Sequence, residues 1–308
     1  MAKSSGLNTR RAAARVTVAA VTAALVATGT GAAFAADAPG RSASQASADA
    51  KASGVTKYGV ATPSAAAQIN ALYGMDSKGD LYGYWPDSTG TLGPRQSTGS
   101  GWQDARFITQ VDQDKNGQSD GIWDVTAGQL HYTKWSTDPV LVGGGWNIYN
   151  RVLSTGNLGG AAYEDLLARD SSGVLWLYLG YGNGKLTSRY KVGGGWNAYT
   201  DLAGKGDLTG DGKDDIVAKD TSGVLWLYKG TGNSKAPFAA RTRIGSGWNT
   251  YNTLLSVGDI NHDGITDLLA RDKNGALWLY KGTGKASAPY ASRVKIGSSG
   301  WNTYRILY

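Results

Sequence analysis

The stretch DINHDGITDLLARDKNGALWLY at residues 259–280 decides the fold, because it contains the centre of a unit that recurs along the chain. It opens with an acidic, glycine-containing loop and continues into an apolar strand, LLAR at 268–271. The turn DKNG follows, in which Asn-Gly accepts positive φ, and ALWLY at 276–280 returns as the next strand. A strand before this stretch at 248–255 and one after it at 293–296 bring the unit to four short strands.

Three sequence markers repeat in register with this unit. A Gly-Trp pair recurs at intervals of 44, 50, 52 and 53 residues. The tetrapeptide LWLY begins at residues 175, 225 and 277, and DLLARD at 267–272 returns as DLLARD at 165–170 and DIVAKD at 215–220. Four strands in about 50 residues match the size of a propeller blade. A β-solenoid or a row of β-sandwiches is the alternative, but solenoid turns are usually shorter and sandwiches need no such period.

The two ends of the repeat region predict five blades. The first unit lacks a Gly-Trp strand and an acidic loop: residues 71–76 align with the second strand and 81–84 with the third. The last unit stops after its Gly-Trp strand, residues 300–308. The two fragments are complementary, so the C-terminal strand should complete the N-terminal blade of an all-β propeller.

Three loops at the same repeat position predict calcium sites. They read DQDKNGQSD, DLTGDGKDD and DINHDGITD, with oxygen ligands at positions 1, 3, 5 and 9, a turning glycine at 6 and a backbone carbonyl at 7. Ca²⁺ prefers six to eight such oxygens. Ordinary Asp-Gly turns are the alternative, and Ala270 at position 12 excludes an EF-hand. The predicted ligands are Asp112, Asp114, Asn116, Gln118 and Asp120; Asp207, Thr209, Asp211, Lys213 and Asp215; and Asp259, Asn261, Asp263, Ile265 and Asp267. The loop at 157–165 lacks oxygen-bearing side chains at positions 3 and 5, and no metal is predicted there.

The N-terminal region predicts export. A basic start precedes an Ala-rich apolar stretch that ends in Ala33-Phe34-Ala35, which fits a signal-peptidase site, so residues 1–35 are predicted to be a signal peptide. An uncleaved membrane anchor is the alternative, and the general secretory and twin-arginine routes both stay open. Residues 36–57 are expected to be a flexible linker, and 58–308 the propeller. We therefore expect a secreted, extracellular protein without membrane insertion after cleavage.

Composition narrows the function classes. The chain has no cysteine and two histidines, so thiol catalysis and disulfides are excluded and histidine chemistry has little room. Bound metal is then a candidate means of stabilising a secreted domain. The formal net charge of +7 includes four basic residues of the leader, and the basic residues form no stripe, so nucleic acid is not a predicted partner. The chain is expected to be a monomer.

The acidic loop followed by DLLARD resembles the FG-GAP (VCBS) repeats of integrin α-chain propellers and of many secreted bacterial proteins. The element IGSGWNTY at 244–251 and its copies are also similar to the repeat of tachylectin-type lectins. That resemblance implies a five-bladed propeller that binds N-acetylated sugars, whereas FG-GAP propellers usually have seven blades. Neither resemblance implies catalysis.

The repeated Gly-Trp element is the candidate binding site. Sugar rings stack on Trp faces, and a neighbouring Asn can hydrogen-bond to hydroxyl or acetamido groups. We therefore predict a non-catalytic, lectin-like module for a glycan or polysaccharide surface, with an extracellular protein-interaction scaffold as the alternative and a propeller hydrolase or lyase as a weaker one. Core packing is the competing interpretation of these tryptophans, and it is expected for Trp176, Trp226 and Trp278. The candidate ligand-binding residues are Trp102, Trp146, Asn147, Trp196, Asn197, Trp248, Asn249, Trp301 and Asn302.

Overall fold

Residues 67–308 are described by a computed structural model and form five antiparallel sheets of four strands each. Blade 1 contains β1 (Leu72–Asp76), β2 (Leu81–Tyr84), β3 (Gln96–Gly99) and the C-terminal strand β20 (Tyr304–Leu307), and blade 2 contains β4 (Ala105–Val111), β5 (Gly121–Thr126), β6 (Gln129–Lys134) and β7 (Val140–Gly144). Blade 3 contains β8 (Tyr149–Ser154), β9 (Leu166–Asp170), β10 (Leu175–Tyr178) and β11 (Tyr190–Gly193), and blade 4 contains β12 (Tyr199–Ala203), β13 (Ile216–Asp220), β14 (Leu225–Tyr228) and β15 (Thr242–Gly245). Blade 5 contains β16 (Tyr251–Gly258), β17 (Asp267–Asp272), β18 (Leu277–Tyr280) and β19 (Val294–Gly297).

The predicted five-bladed propeller is confirmed. The predicted signal peptide at 1–35 and linker at 36–57 lie outside the described residues. Within the described part of the chain, no helix is long and apolar enough to cross a membrane.

The split blade closes the ring as predicted. β20 pairs antiparallel with β1, with Gly74 opposite Leu307 and Met75 opposite Ile306. The backbones of Tyr73 and Tyr308 exchange two hydrogen bonds of 2.8 and 3.0 Å. β20 thereby takes the innermost place in blade 1 that β4, β8, β12 and β16 take in the other blades. These five strands line a central cavity of about 790 Å³.

The LWLY strands alternate strictly in burial. In β10, Leu175 and Leu177 are fully buried, while Trp176 and Tyr178 are half-buried. β14 and β18 repeat this pattern. Because successive side chains of a strand point to opposite faces, the leucines take the tightly covered face. Trp176, Trp226 and Trp278, which were predicted to be core residues, pack against the hydrophobic core clusters but are only partly buried.

Basic residues of the DLLARD motif connect neighbouring blades. Arg169 Nη1 donates to the carbonyl oxygens of Trp196 and Tyr199 in the next unit, and Arg271 Nη1 donates to those of Trp301 and Tyr304. Charged donors form stronger hydrogen bonds than neutral ones. Lys219 Nζ likewise donates to the Tyr251 carbonyl oxygen, so these cations fix β12, β16 and β20 against the blade before each of them.

The segment at residues 67–70 bridges the acidic-loop ends of several blades. Ile69 N donates to Gly117 O of blade 2 (2.9 Å), and Asp259 N of blade 5 donates to Gln68 O (2.6 Å). The Gln68 side chain donates to Glu164 of blade 3. The chain thus closes its ring with a C-terminal strand and adds a second connection just before β1.

Candidate functional site

The three predicted calcium loops share one backbone arrangement. In each, the position-1 carboxylate accepts a hydrogen bond from the position-6 glycine: Gly117 to Asp112 (2.9 Å), Gly212 to Asp207 (2.7 Å) and Gly264 to Asp259 (2.7 Å). The position-9 carboxylates accept from the position-2 amides, namely Gln113 to Asp120, Leu208 to Asp215 and Ile260 to Asp267, at 2.9–3.2 Å. The loops are therefore wound tightly around their first and last aspartates.

Two side-chain oxygens at position 3 of the acidic loops show whether a metal ion would fit there. Thr209 Oγ1 and Asn261 Oδ1 are buried and have no hydrogen-bond partner among the described atoms. A buried polar oxygen without a partner costs about 1–3 kcal/mol, and these two occupy the same ligand position in two loops. The exposed carboxylates of Asp211 and Asp263 lie two residues further on. The donor chemistry is that of hard oxygen ligands and fits Ca²⁺.

The carboxylates of the three acidic loops do not form close clusters in the described part of the chain. In the described part of the chain, no three His, Cys, Asp or Glu side chains are clustered closely enough to hold a metal on their own. Burial raises the pKa of Asp267 to about 7 and that of Asp215 to about 6, against the lowering effect of backbone amide donors. Amide and hydroxyl oxygens and backbone carbonyls would therefore have to complete any calcium shell.

The loop at 157–165 is held together without position-3 and position-5 ligands. Asn157 Oδ1 accepts from Gly160 N, and Asp165 accepts from Gly159 N at 2.7 Å and from Gly180 N at 3.2 Å. The Asn157 side chain also donates to Ala161 O, so this loop is held by its own hydrogen bonds.

The Gly-Trp elements form short 3-10 turns at the opposite end of each inner strand. The turns are Trp146–Ile148, Trp196–Ala198, Trp248–Thr250 and Trp301–Thr303. Each follows a glycine with φ between 82° and 89°, a left-handed conformation that favours glycine. The Trp backbone N–H donates to a hairpin glycine of the preceding blade, as from Trp196 to Gly173 O at 2.9 Å.

The tryptophans of these turns are core residues. Trp146, Trp196, Trp248 and Trp301 are only 6–8 % exposed, and one ring face of each packs on a Tyr with centroids 4.6–4.9 Å apart. The sugar-stacking role predicted for their faces therefore has no support in the structure. Trp102 is half-buried.

The asparagines that follow four of these tryptophans, Asn147, Asn197, Asn249 and Asn302, are exposed. Asn197 and Asn302 already donate to backbone oxygens of the preceding hairpin, at 3.1 and 2.9 Å. These two amides therefore help to hold the turn in place.

A cluster of Trp, two Tyr and Arg surrounds each turn, and sequence reasoning missed its Tyr and Arg members. In blade 4 the hydroxyls of Tyr199 and Tyr228 are 2.5 Å apart, Arg241 donates to Tyr199, and its guanidinium lies 4.0 Å from the centre of the Trp226 ring. Burial and the bond between the two hydroxyls raise the pKa of Tyr228. The four clusters are Trp146, Tyr149, Tyr178 and Arg189; Trp196, Tyr199, Tyr228 and Arg241; Trp248, Tyr251, Tyr280 and Arg293; and Trp301, Tyr304, Tyr84 and Arg95.

The fifth Gly-Trp element, at Trp102, does not have this cluster. Beside Trp102, the two tyrosines are replaced by Ala105 and Thr133, and the arginine by Pro139. The cavity lined by Trp102 and Thr133 measures only about 10 Å³, which is near the lower limit for one water molecule. Both tyrosines and the arginine are thus absent together, although the tryptophan is present.

An open pocket of about 530 Å³ lies at the cluster between blades 3 and 4. Its walls are the glycine loop before Trp196, the Tyr199–Tyr228 pair and the connection 235–241. A Cβ added at Gly194 would meet no described atom within 4 Å, and its φ lies outside the left-handed range. Packing therefore does not require glycine at 194, and its absent side chain leaves the pocket open.

Glu164, the single Glu of the chain, is not available as a catalytic acid in this structure. Its Oε2 lies 2.6 Å from Lys205 Nζ and accepts from Ser154 Oγ at 3.0 Å, and both charged side chains are buried.

Residues 207–270 match the FG-GAP-like repeat. No curated protein matches the chain. Solved propellers that it resembles include an Aleuria aurantia lectin mutant in complex with alpha-methyl-L-fucoside (10 % identity, 76 % of this chain and 79 % of that chain, TM-score 0.40). Others are an AofleA mutant from Arthrobotrys oligospora (7 %, 78 % and 76 %, 0.44) and the WD40 domain of SCAP from fission yeast (10 %, 75 % and 53 %, 0.35). At these identities and scores the structural likenesses carry no functional argument. The chain is a five-bladed β-propeller in which residues 207–270, with two of its three acidic loops, are similar to the FG-GAP-like repeat.

Proposed function

We propose that this chain is a secreted, calcium-binding and non-catalytic propeller that binds carbohydrate in the clefts between its blades. The observation that supports this proposal is the fourfold recurrence of the Trp, Tyr, Tyr and Arg cluster, with an open pocket of about 530 Å³ at one copy. Ligand pockets usually enclose about 300–1,000 Å³. The polar groups at the pocket are hydroxyl and guanidinium donors, which suit sugar hydroxyls.

The cluster is organised before a ligand arrives. The Tyr199 hydroxyl bonds to Tyr228 and accepts from Arg241, and the Trp196 ring packs on Tyr228 with centroids 4.8 Å apart. Because these side chains are already fixed, a ligand immobilises few of them, and the entropic cost of binding falls.

Four copies of the cluster on one ring favour polymeric ligands. A polysaccharide surface can occupy several clefts at once, and linked sites raise the apparent affinity by about 10²–10⁴ without a new contact. We therefore expect retention on an insoluble polysaccharide such as chitin or peptidoglycan, with poor displacement by free monosaccharide.

Calcium has a structural role in this proposal. The three acidic loops connect β4 to β5, β12 to β13 and β16 to β17, at the end of each inner strand away from the Gly-Trp turn. Ca²⁺ bound there would stabilise the native ring by mass action and would not contact the glycan.

A glycan array, run with calcium and with chelator, tests the proposal. Gly194→Leu should fill the pocket between blades 3 and 4 and weaken binding at an unchanged melting temperature. Gly195→Leu is the matched control for strain, because Gly195 has φ 84° and a side chain there should lower the melting temperature. An array without any bound glycan under either condition contradicts the proposal.

One observation favours the scaffold alternative. Val140 and Leu141 on the outer strand of blade 2 are 58 % and 56 % exposed, and Ile148 just beyond is 44 % exposed. Exposed apolar groups on an edge strand suit a protein partner, and blade 2 is the blade without the cluster. Leu141→Asp should leave polysaccharide retention unchanged if carbohydrate binds in the clefts, and should abolish attachment if this edge is the binding surface.

A further inference from the structure

The pocket between blades 3 and 4 is positively charged. Two cationic side chains, Lys235 and Arg241, line it, and both are exposed. Among its described lining residues there is no Asp or Glu. A concave site with charge of one sign attracts ligands of the other sign.

Arg241 makes no ion pair within the described residues, although the Asp220 carboxylate is close enough to interact with it electrostatically. Its guanidinium donates to the Tyr199 hydroxyl and stacks on Trp226. Asp220, the acidic residue that acts on it electrostatically, accepts from Trp226 Nε1 at 2.8 Å and from hairpin amides at 2.9 Å. Stacking holds the planar fork of donors in a fixed orientation, so the guanidinium is ready for a planar or tetrahedral anion.

We infer that the carbohydrate bound between blades 3 and 4 is acidic, with a carboxylate or sulfate group that pairs with Arg241 and Lys235. This inference rests on the proposed function and names the ligand class of the same pocket. The sugar ring would lie against the glycine wall at Gly194, and its anionic group would face Arg241 and Lys235, where the pocket lining has no Asp or Glu.

The arginine of the blade 4 cluster recurs in the other clusters. Arg293 stacks on Trp278 at 4.2 Å and donates to Tyr251 at 2.5 Å, so the guanidinium is present in blade 5. The residue that corresponds to Lys235 there is Ser287, because Pro237 and Pro289 align. Blade 5 has its lysine two residues earlier in this connection, at Lys285, so its second cation is placed differently and its preference for an acidic sugar should differ from that of the blade 4 pocket.

Isothermal titration in calcium-containing buffer tests the inference with three short probes: trigalacturonate, its neutral counterpart galactotriose, and galactose 6-sulfate. The titrations are repeated with Arg241→Gln, Lys235→Gln and the control Arg243→Gln. Arg243 lies two residues from Arg241 and does not line the pocket, so Arg243→Gln removes the same charge from the same strand. Melting temperatures of all variants verify that they fold.

We expect at least one acidic probe to bind more tightly than galactotriose. Arg241→Gln should weaken the tightest acidic site about 10- to 100-fold, the range for a lost charged hydrogen bond, while Arg243→Gln changes it less than about 3-fold. Raising the ionic strength from about 0.1 to about 1 M shortens the Debye length from about 10 to about 3 Å and should weaken the acidic probe selectively.

Equal affinity for acidic and neutral probes overturns the inference and leaves the proposed function standing. Equal losses in Arg241→Gln and Arg243→Gln also overturn it, because the effect is then one of overall charge. If none of the three probes binds while the glycan array shows neutral ligands, the inference fails alone; if the array is also empty, the proposed function fails with it. A sulfate-only or carboxylate-only response identifies which anion the pocket accepts.

Discussion

Removal of the charge of Glu164 should destabilise the ring strongly. Its carboxylate accepts from Lys205 Nζ at 2.6 Å, Ser154 Oγ at 3.0 Å and Asp112 N at 3.2 Å, and it also bonds to Gln68. These partners belong to blades 4, 3 and 2 and to the segment before β1. The side chains of Glu164 and Lys205 are only 6 % and 3 % exposed.

Glu164→Gln preserves the shape and leaves the Lys205 ammonium buried without a counterion. Breaking one side of a buried ion pair costs about 3–5 kcal/mol, a large fraction of the usual 5–15 kcal/mol of domain stability. Lys205→Met should cost a similar amount for the converse reason. In the double variant neither charge remains, so its loss should be smaller than the sum of the two single losses by about 2 kcal/mol or more.

Urea-induced unfolding followed by tryptophan fluorescence, at saturating calcium, measures these differences. Lys229→Gln is the matched control, because the Lys229–Asp211 pair is exposed and 3.9 Å long, and exposed pairs contribute about 0–1 kcal/mol. A loss below about 1 kcal/mol in Glu164→Gln, or strictly additive single losses, would refute the reasoning that this pair is a buried connection between blades.

Three further predictions concern the core, the closure of the ring and the acidic loops. Trp248→Ala should cost about 3–5 kcal/mol in urea unfolding, whereas Asn249→Ala on the exposed side of the same turn should change stability by less than about 0.5 kcal/mol; equal effects would place Trp248 outside the core. Deletion of residues 300–308 removes β20 and Trp301 and should give an insoluble or protease-sensitive chain, and wild-type solubility and melting would contradict the split blade. Exhaustive chelation should lower the melting temperature and Asp263→Ala should lower it in part, because calcium bound only to the native state stabilises it; an unchanged melt after chelation would show that the loops need no metal.

The architecture could be predicted because each element of the repeat has its own local sequence pattern. The Asp-Gly and Asn-Gly turns, the LWLY strands and the Gly-Trp pairs each fix a local conformation, and their period gives the size of a blade. The number of blades followed from two incomplete ends, since residues 71–84 and 300–308 supply complementary strands. The order of the strands along the chain can be read directly from the sequence.

The binding residues were harder to predict because they are far apart in the sequence. Trp196 and Arg241 are 45 residues apart, and the folding of blade 4 into one four-stranded sheet brings them to the same pocket. The Gly-Trp tryptophans drew attention by their repetition, which reflects core packing against Tyr178, Tyr228 and Tyr280. A signal was present: an Arg stands seven residues before Trp102, Trp196 and Trp248, and eight before Trp301.

The environment of Glu164 could not be predicted from spacing either. Its partners Gln68 and Lys205 are 96 and 41 residues away, and they meet only because the ring closes. The sequence shows only that Glu164 is the single Glu of the chain; its burial and its contact with Lys205 show that it belongs to an ion pair.

The number of bound glycans per chain tests the central claim most directly. Native mass spectrometry of the purified protein in calcium, titrated with a short oligosaccharide that the array selects, counts the occupied sites. The clusters at Arg95, Arg189, Arg241 and Arg293 predict saturation at four ligands, with one ligand lost in Gly194→Leu. Saturation at five would show that the site beside Trp102 is intact, and saturation at one, unaffected by Gly194→Leu, would show that carbohydrate does not bind between the blades.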